Sequence, residues 1–238
     1  MSEPLFRADA YLRVAEGRVL AASPEGVVLD RSIFYPTGGG QPGDAGTLDW
    51  DGGSMAVADT RKGEGDAILL IPAEGASLPG VGARVEQRLD WARRYGHMRV
   101  HTALHLLSVV IPLPVSGGSI GEAKGRLDFD MPEAPEDRQA LEDALNALIA
   151  ADHEVGERWI EEAELDANPG LVKTMSVQPP RGAGRIRLVR IGTGETQIDL
   201  QPCGGTHVRR TGEIGRVTLG KIEKKGRQNR RVSVHLAP

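Results

Sequence analysis

The chain has 238 residues, 39% apolar and 26% charged, so it can bury a substantial core and is long enough for two small domains. One cysteine, Cys203, excludes an intramolecular disulfide framework, and the N-terminal residues hold no apolar run fit for a signal peptide or a membrane span, which points to the cytoplasm. The net charge of −4 conceals a split: Leu171–Pro238 carries fourteen Lys or Arg against four Asp or Glu, which suits an anionic partner such as nucleic acid.

The predicted elements begin with a β-rich unit. Short runs at Val27–Leu29, Ala56–Ala58, Ala67–Ile71 and Ala83–Leu89 are separated by Gly, Pro and Asp clusters, the spacing of a small barrel or sandwich over residues 1–90. From Trp91 the period changes. Val100, Ala103, Leu104, Leu107 and Val110 recur three and four apart, predicting a buried helix that Pro112 and Pro114 end. A second helix is expected over Pro135–Glu154, with Leu141, Leu145, Leu148 and Ile149 as its apolar stripe. Alternating runs then return at Arg185–Ile191, Thr196–Leu200, Arg216–Leu219 and Arg231–Leu236. The expected class is α+β: an N-terminal β-rich unit, a small barrel or sandwich, then a two-layer domain over residues 91–238 with a mostly antiparallel sheet.

His97, His101 and His105 stand four apart in the first helix, and imidazoles one turn apart can grip one ion. A second pair, Cys203 and His207, flanks Gly204 and Gly205, whose small size lets the backbone fold tightly enough to bring thiolate and imidazole together. Both patterns together are expected in fewer than about one in a hundred shuffled chains. His105 lies deeper in the apolar stripe than His97, which sits beside Arg93, Arg94 and Arg99 on what reads as an exposed basic rim. His101, His105, Cys203 and His207 are therefore the candidate ligands, and a mixed nitrogen and sulfur set selects zinc over magnesium or calcium. Thr102 follows His101 where a zinc protease helix carries Glu, so that chemistry is excluded.

Gly38–Gly40 carries neither a P-loop sequel nor a dinucleotide fingerprint, and no dinucleotide cofactor is expected. It is read as a loop packed towards the functional cleft. Lys221, Lys224, Lys225, Arg227, Arg230 and Arg231 cluster around an expected hairpin, adjoined by Arg209 and Arg210, and suit phosphate contacts that weaken with salt.

At the residues His101-Thr102-Ala103-Leu104-His105 and Cys203-Gly204-Gly205-Thr206-His207-Val208 the sequence resembles the editing domain of alanyl-tRNA synthetases and the free-standing AlaX trans-editing proteins. Arg126-Leu127-Asp128-Phe129 and Thr211-Gly212-Glu213-Ile214-Gly215 add to the likeness, and Tyr35-Pro36-Thr37-Gly38-Gly39-Gly40-Gln41-Pro42-Gly43-Asp44 is similar to the glycine-rich motif of the preceding barrel. The resemblance implies zinc-dependent hydrolysis of the ester joining serine, and secondarily glycine, to the acceptor end of alanine tRNA. It implies His101, His105, Cys203 and His207 as the zinc ligands and catalytic centre. Gly39, Gly40, Gln41, Leu104, Ser116, Gly204 and Gly205 are the expected pocket residues, with glycine-turn amides at Gly204–Gly205 or Gly117–Gly118 as oxyanion donors. Editing of threonine tRNA, or a zinc-stabilised RNA-binding module without catalysis, are the competing readings.

Overall fold

The computed structural model describes residues 2–175, 182 and 184–237. The chain divides into two compact units, Met1–Tyr95 and Gly96–Pro238.

Six antiparallel strands close the first unit into a barrel: β1 (Val14–Ser23), β2 (Gly26–Leu29), β3 (Gly46–Trp50), β4 (Gly53–Lys62), β5 (Ile68–Pro72) and β6 (Arg84–Leu89), in the order β1–β2–β5–β4–β3–β6. Val19, Leu29, Phe34, Leu48, Met55, Leu70 and Val85 form its buried cluster. Closure explains why β1 and β3 escape the apolar pattern, because every strand gains two hydrogen-bonded neighbours without presenting a continuous apolar run. The expected Ala56–Ala58 run is the middle of the ten-residue β4.

The barrel unit also holds a buried charge pair. Arg94 Nε sits 3.0 and 2.9 Å from the two oxygens of Asp44, while its other nitrogens donate to the carbonyls of Ala10 (2.9 Å) and Ile33 (2.7 Å). Asp44 also accepts from the Tyr35 amide at 2.6 Å. The glycine-rich motif is thereby tied down at both ends. Gly38 and Gln41 exchange two backbone hydrogen bonds of 3.0 Å, with Gly39 and Gly40 at φ 58° and 83° in the turn between them.

Helix α1 (Trp91–Val110) includes the point where the units divide. In the second unit, strands β7 (Val115–Ile120), β8 (Lys124–Asp130), β12 (Val217–Leu219) and β14 (Asn229–Leu236) form a sheet in the order β12–β14–β8–β7, with β13 (Glu223–Lys224) beside β14. A separate sheet runs β9 (Val155–Glu161), β10 (Arg185–Ile191) and β11 (Asp199–Pro202). The antiparallel strands expected here are thus shared between two sheets. Strands β7, β8 and β9 lie outside the expected runs, being rich in Gly or charged residues; β11 begins later than the expected Thr196–Leu200 run, after a single 3₁₀ turn.

Helix α2 (Arg138–Ala150) starts three residues after Pro135 because Asp137 caps it, accepting from the Ala140 amide at 2.9 Å. Its Glu142 and Asn146 bond the backbone of Leu219 and Val217, which fixes β12 against it. A short α3 (Glu162–Ala167) follows β9. At Gly125 in β8 a Cβ would stand 2.5 Å from Val100 Cγ1, so only glycine permits this close approach of sheet and α1. A Cβ at Gly96 would likewise stand 2.5 Å from the Glu122 carbonyl oxygen. His97 is 1% exposed and Arg94 fully buried, which corrects the expected exposed rim.

Candidate metal centre

Helix α1 is buried on every side from His101 to Ser108, and it presents His101 and His105 one turn apart. Strand β11 ends at Pro202, and the Cys203–Gly205 turn returns the chain so that His207 faces the same point. One ligand atom from each of His101, His105, Cys203 and His207 lies within 4.8 Å of every other. Cys203 Sγ is 3.5 Å from His101 Nε2 and 3.3 Å from His207 Nε2. The three imidazoles pack with ring centroids 4.2 to 5.2 Å apart.

Neighbouring groups decide which ring nitrogen faces inward. Thr102 Oγ1 donates its only proton to the Met98 carbonyl at 2.9 Å, yet lies 3.1 Å from His207 Nδ1 and 3.3 Å from the Val208 amide. It must accept from both, so His207 carries its proton on Nδ1 and turns the Nε2 lone pair towards the sulfur. His105 Nδ1 is 3.1 Å from Asp199 Oδ2, an arrangement that likewise leaves Nε2 free to ligate. Asp199 is in turn held by Lys173 Nζ at 2.5 Å and Gln201 Nε2 at 2.7 Å.

The electrostatics favour an ionised thiol beside a protonated His105, whose proton a bound metal would displace. Burial raises the Cys203 thiol, but the charges of His101 and His207 outweigh it and hold the group well below the ordinary thiol range. Burial, reinforced by the neighbouring His101, pushes His207 well below the usual imidazole value. Burial also works against a charged His105, yet hydrogen bonds to Asp199 and Cys203 lift it to about 9. For Asp199, burial acts upward and is overcome by His105 and Lys173, leaving it below the carboxylate range.

A thiolate facing an imidazole lone pair at 3.3 Å is repulsive on its own and attractive around a cation. The separation also matches the roughly 3.5 Å nitrogen–sulfur edge of a tetrahedral zinc site. The residues fit a thiophilic divalent metal.

Leu104 is buried, its Cδ1 turned towards Gly125 of β8. Ser116 donates to the Asp128 carbonyl at 3.0 Å and accepts from Asn229 at 2.7 Å. Gly204 is exposed, whereas the Gly205 amide donates to Cys203 Sγ at 3.4 Å, so that N–H serves the thiolate instead of a substrate oxygen. Gly117 and Gly118 lie in the ladder opposite Asp128 and Leu127. Gly39, Gly40 and Gln41 form their turn within the barrel unit, with Gln41 buried.

Among the cations, Arg231 grips Asp128 through two bonds of 2.7 and 2.9 Å. Arg230 is buried against the Pro132 carbonyl, Arg210 holds Asp152, and Lys225 pairs with Glu223 at 2.6 Å. Arg209 is exposed, its amide bonded to Glu213. Lys221, Lys224 and Arg227 are exposed and enter no ion pair among the described residues. Sequence reading misses Asp199, Lys173, Gln201 and the accepting role of Thr102; the Asp199-x-Gln201-x-Cys203 alternation is the signal that carries two of them.

Residues 186–233 match the family described as the threonyl and alanyl tRNA synthetase second additional domain, and residues 13–93 match class II (A) tRNA synthetases. The alanyl-tRNA editing protein AlaX-M of Methanosarcina acetivorans is 35% identical over 243 residues, covering 98% of each chain. AlaX-M of Saccharolobus solfataricus is 33% identical over 243 residues and covers 100% of each. The alanine–tRNA ligase of Pyrobaculum neutrophilum is 36% identical over 230 residues, which are 92% of this chain and 25% of the ligase.

Proposed function

This chain belongs to the AlaX-M family of alanyl-tRNA editing proteins, and on that basis we propose that it deacylates mischarged alanine tRNA in trans, removing serine and, secondarily, glycine. The observation that carries the reading is the convergence of His101, His105, Cys203 and His207 from two distant stretches of the chain on one point. These four residues would hold zinc, which when bound polarises an ester carbonyl and acidifies water.

The remaining chemistry belongs to the chain. Asp199 and Thr102 fix the ring orientations of His105 and His207, so neither ligand rotates as substrate arrives. The Gly205 amide steadies the thiolate. Lys221, Lys224 and Arg227 offer their cations to tRNA phosphates, which position the acceptor end without reading its sequence. Arg231 is engaged by Asp128 of its own sheet and Arg230 by the Pro132 carbonyl just beyond β8, and their contribution is to shape that surface.

The histidine ligands are each 7% exposed, which favours a second reading: a closed, zinc-stabilised RNA-binding unit without turnover. Deacylation of seryl- and glycyl-alanine tRNA, measured with the metal-loaded protein and after chelation, decides between them. Hydrolysis that falls on chelation and returns with zinc supports editing. Tight tRNA binding without hydrolysis establishes the second reading.

A further inference from the structure

The turn that carries Cys203 is held from outside by a residue that is not itself a ligand. Arg187, on β10, donates through Nη1 to the Cys203 carbonyl at 2.7 Å and to the Gly205 carbonyl at 3.0 Å. The Arg187 carbonyl accepts the Cys203 amide at 3.2 Å, so one residue grips Cys203 on both sides of its Cα. Its second terminal nitrogen donates to Glu157 Oε1 on β9 at 2.5 Å, and the side chain is 12% exposed.

We propose that Arg187 is the positioning residue of the metal centre, folding the Cys203–Gly205 turn into the shape that presents the thiolate and His207 together. A guanidinium suits the task because its planar fork serves a pair of carbonyls and a carboxylate at once, with charge-assisted bonds. The turn needs such a brace: Gly204 is exposed and a Cβ there would meet nothing within 4 Å, so side-chain packing supplies no restraint at its apex. With both carbonyls pinned, the Gly205 amide is left pointing at Cys203 Sγ. Glu157 fixes the rotamer of Arg187 and thereby acts one step further out. The inference rests on the four-ligand zinc reading.

The test uses the full-length protein stripped of metal and titrated with Co²⁺, whose thiolate charge-transfer and visible bands report sulfur and imidazole ligation, followed by competition between zinc and a chelator. Arg187→Met is expected to bind about 10- to 100-fold more weakly, the usual loss on removing a group that orients a ligand, with altered charge-transfer intensity. Arg187→Lys, keeping the charge without the fork, should fall between it and the parent. Ile160→Val on β9, a buried position remote in role, should lower the melting temperature without moving affinity or spectrum.

Parent-like affinity and bands in Arg187→Met overturn the proposal. If that variant does not fold, Arg187→Lys and Glu157→Gln replace it, and unchanged binding in both overturns it equally. A parent protein that binds no stoichiometric metal brings down the zinc reading itself, whatever the variants do.

Discussion

The barrel unit and the unit with the candidate metal centre solve the problem of buried polarity in opposite ways. In the barrel, the fully buried charges of Arg94 and Asp44 neutralise each other and satisfy the carbonyls of Ala10 and Ile33 and the Tyr35 amide around them. In the second unit, three imidazoles and the Cys203 sulfur converge on one point, and the outward ring nitrogens of His105 and His207 are held by Asp199 and Thr102. The first arrangement is complete in itself. The second calls for a cation at its centre, and the proposed function is placed there on that asymmetry.

Cys203→Ala removes the only sulfur from the cluster. It should abolish stoichiometric zinc and lower deacylation by more than about 100-fold, beyond the loss expected from an outer-sphere change. Hydrogen exchange at Leu48 and Leu70 in the barrel should stay as protected as before. Deacylation at the parental rate refutes the metal centre.

Arg94→Met is the converse experiment. It strands Asp44 without its cation, and urea unfolding should show a loss of about 3–5 kcal/mol, while zinc affinity stays at the parental value. A near-neutral result means that the pair is not the buried anchor its geometry describes.

Smaller effects sharpen the picture at the surface. Lys224→Ala with Arg227→Ala should weaken alanine tRNA binding and reduce the slope of log affinity against log salt by about one for each phosphate that is no longer neutralised. An unchanged slope removes them from the RNA surface.

The smallest effect concerns Asp128. Burial raises its carboxyl, but the hydrogen bonds from Arg231 and Arg126 more than offset that and hold it below the carboxylate range. A depressed folded value means that the interaction contributes fully above roughly pH 4, where the unfolded group ionises. It disappears as pH falls through the folded value. Asp128→Asn should therefore flatten part of the stability loss on acidification and cost little else that is pH-dependent; an identical acid limb contradicts this.

What the sequence makes legible follows from geometry that is local in the chain. Histidines four apart and a Cys-Gly-Gly-Thr-His turn are readable because ligand spacing within a helix or a bend is short-range. The partners of those ligands are not. Asp199 reaches His105 across 94 residues, and its strand is short and starts after a 3₁₀ turn, so its alternation is obscured. Thr102 reads as off the apolar stripe of α1, yet the helix is covered on all sides there and has no solvent face to put it on. The buried Arg94 and His97 escape sequence reading for the same reason: charge alone suggests solvent until the carboxylate or backbone that receives it is known. In the barrel, Val14–Ser23 is hard to read because closure of the sheet, a long-range property, organises a strand whose residues alternate weakly.

Oxidation chemistry meets an unusual circumstance at the sulfur of Cys203, since it is the sole thiol of the 238 residues. A peroxide that reached it would leave a sulfenic acid with no second thiol among these residues to resolve it, so recovery requires a thiol from another molecule. The amide of Gly205, seated 3.4 Å from that sulfur, draws on the electron density an oxidant attacks, and so acts as a modest intrinsic shield for an atom the chain cannot repair on its own.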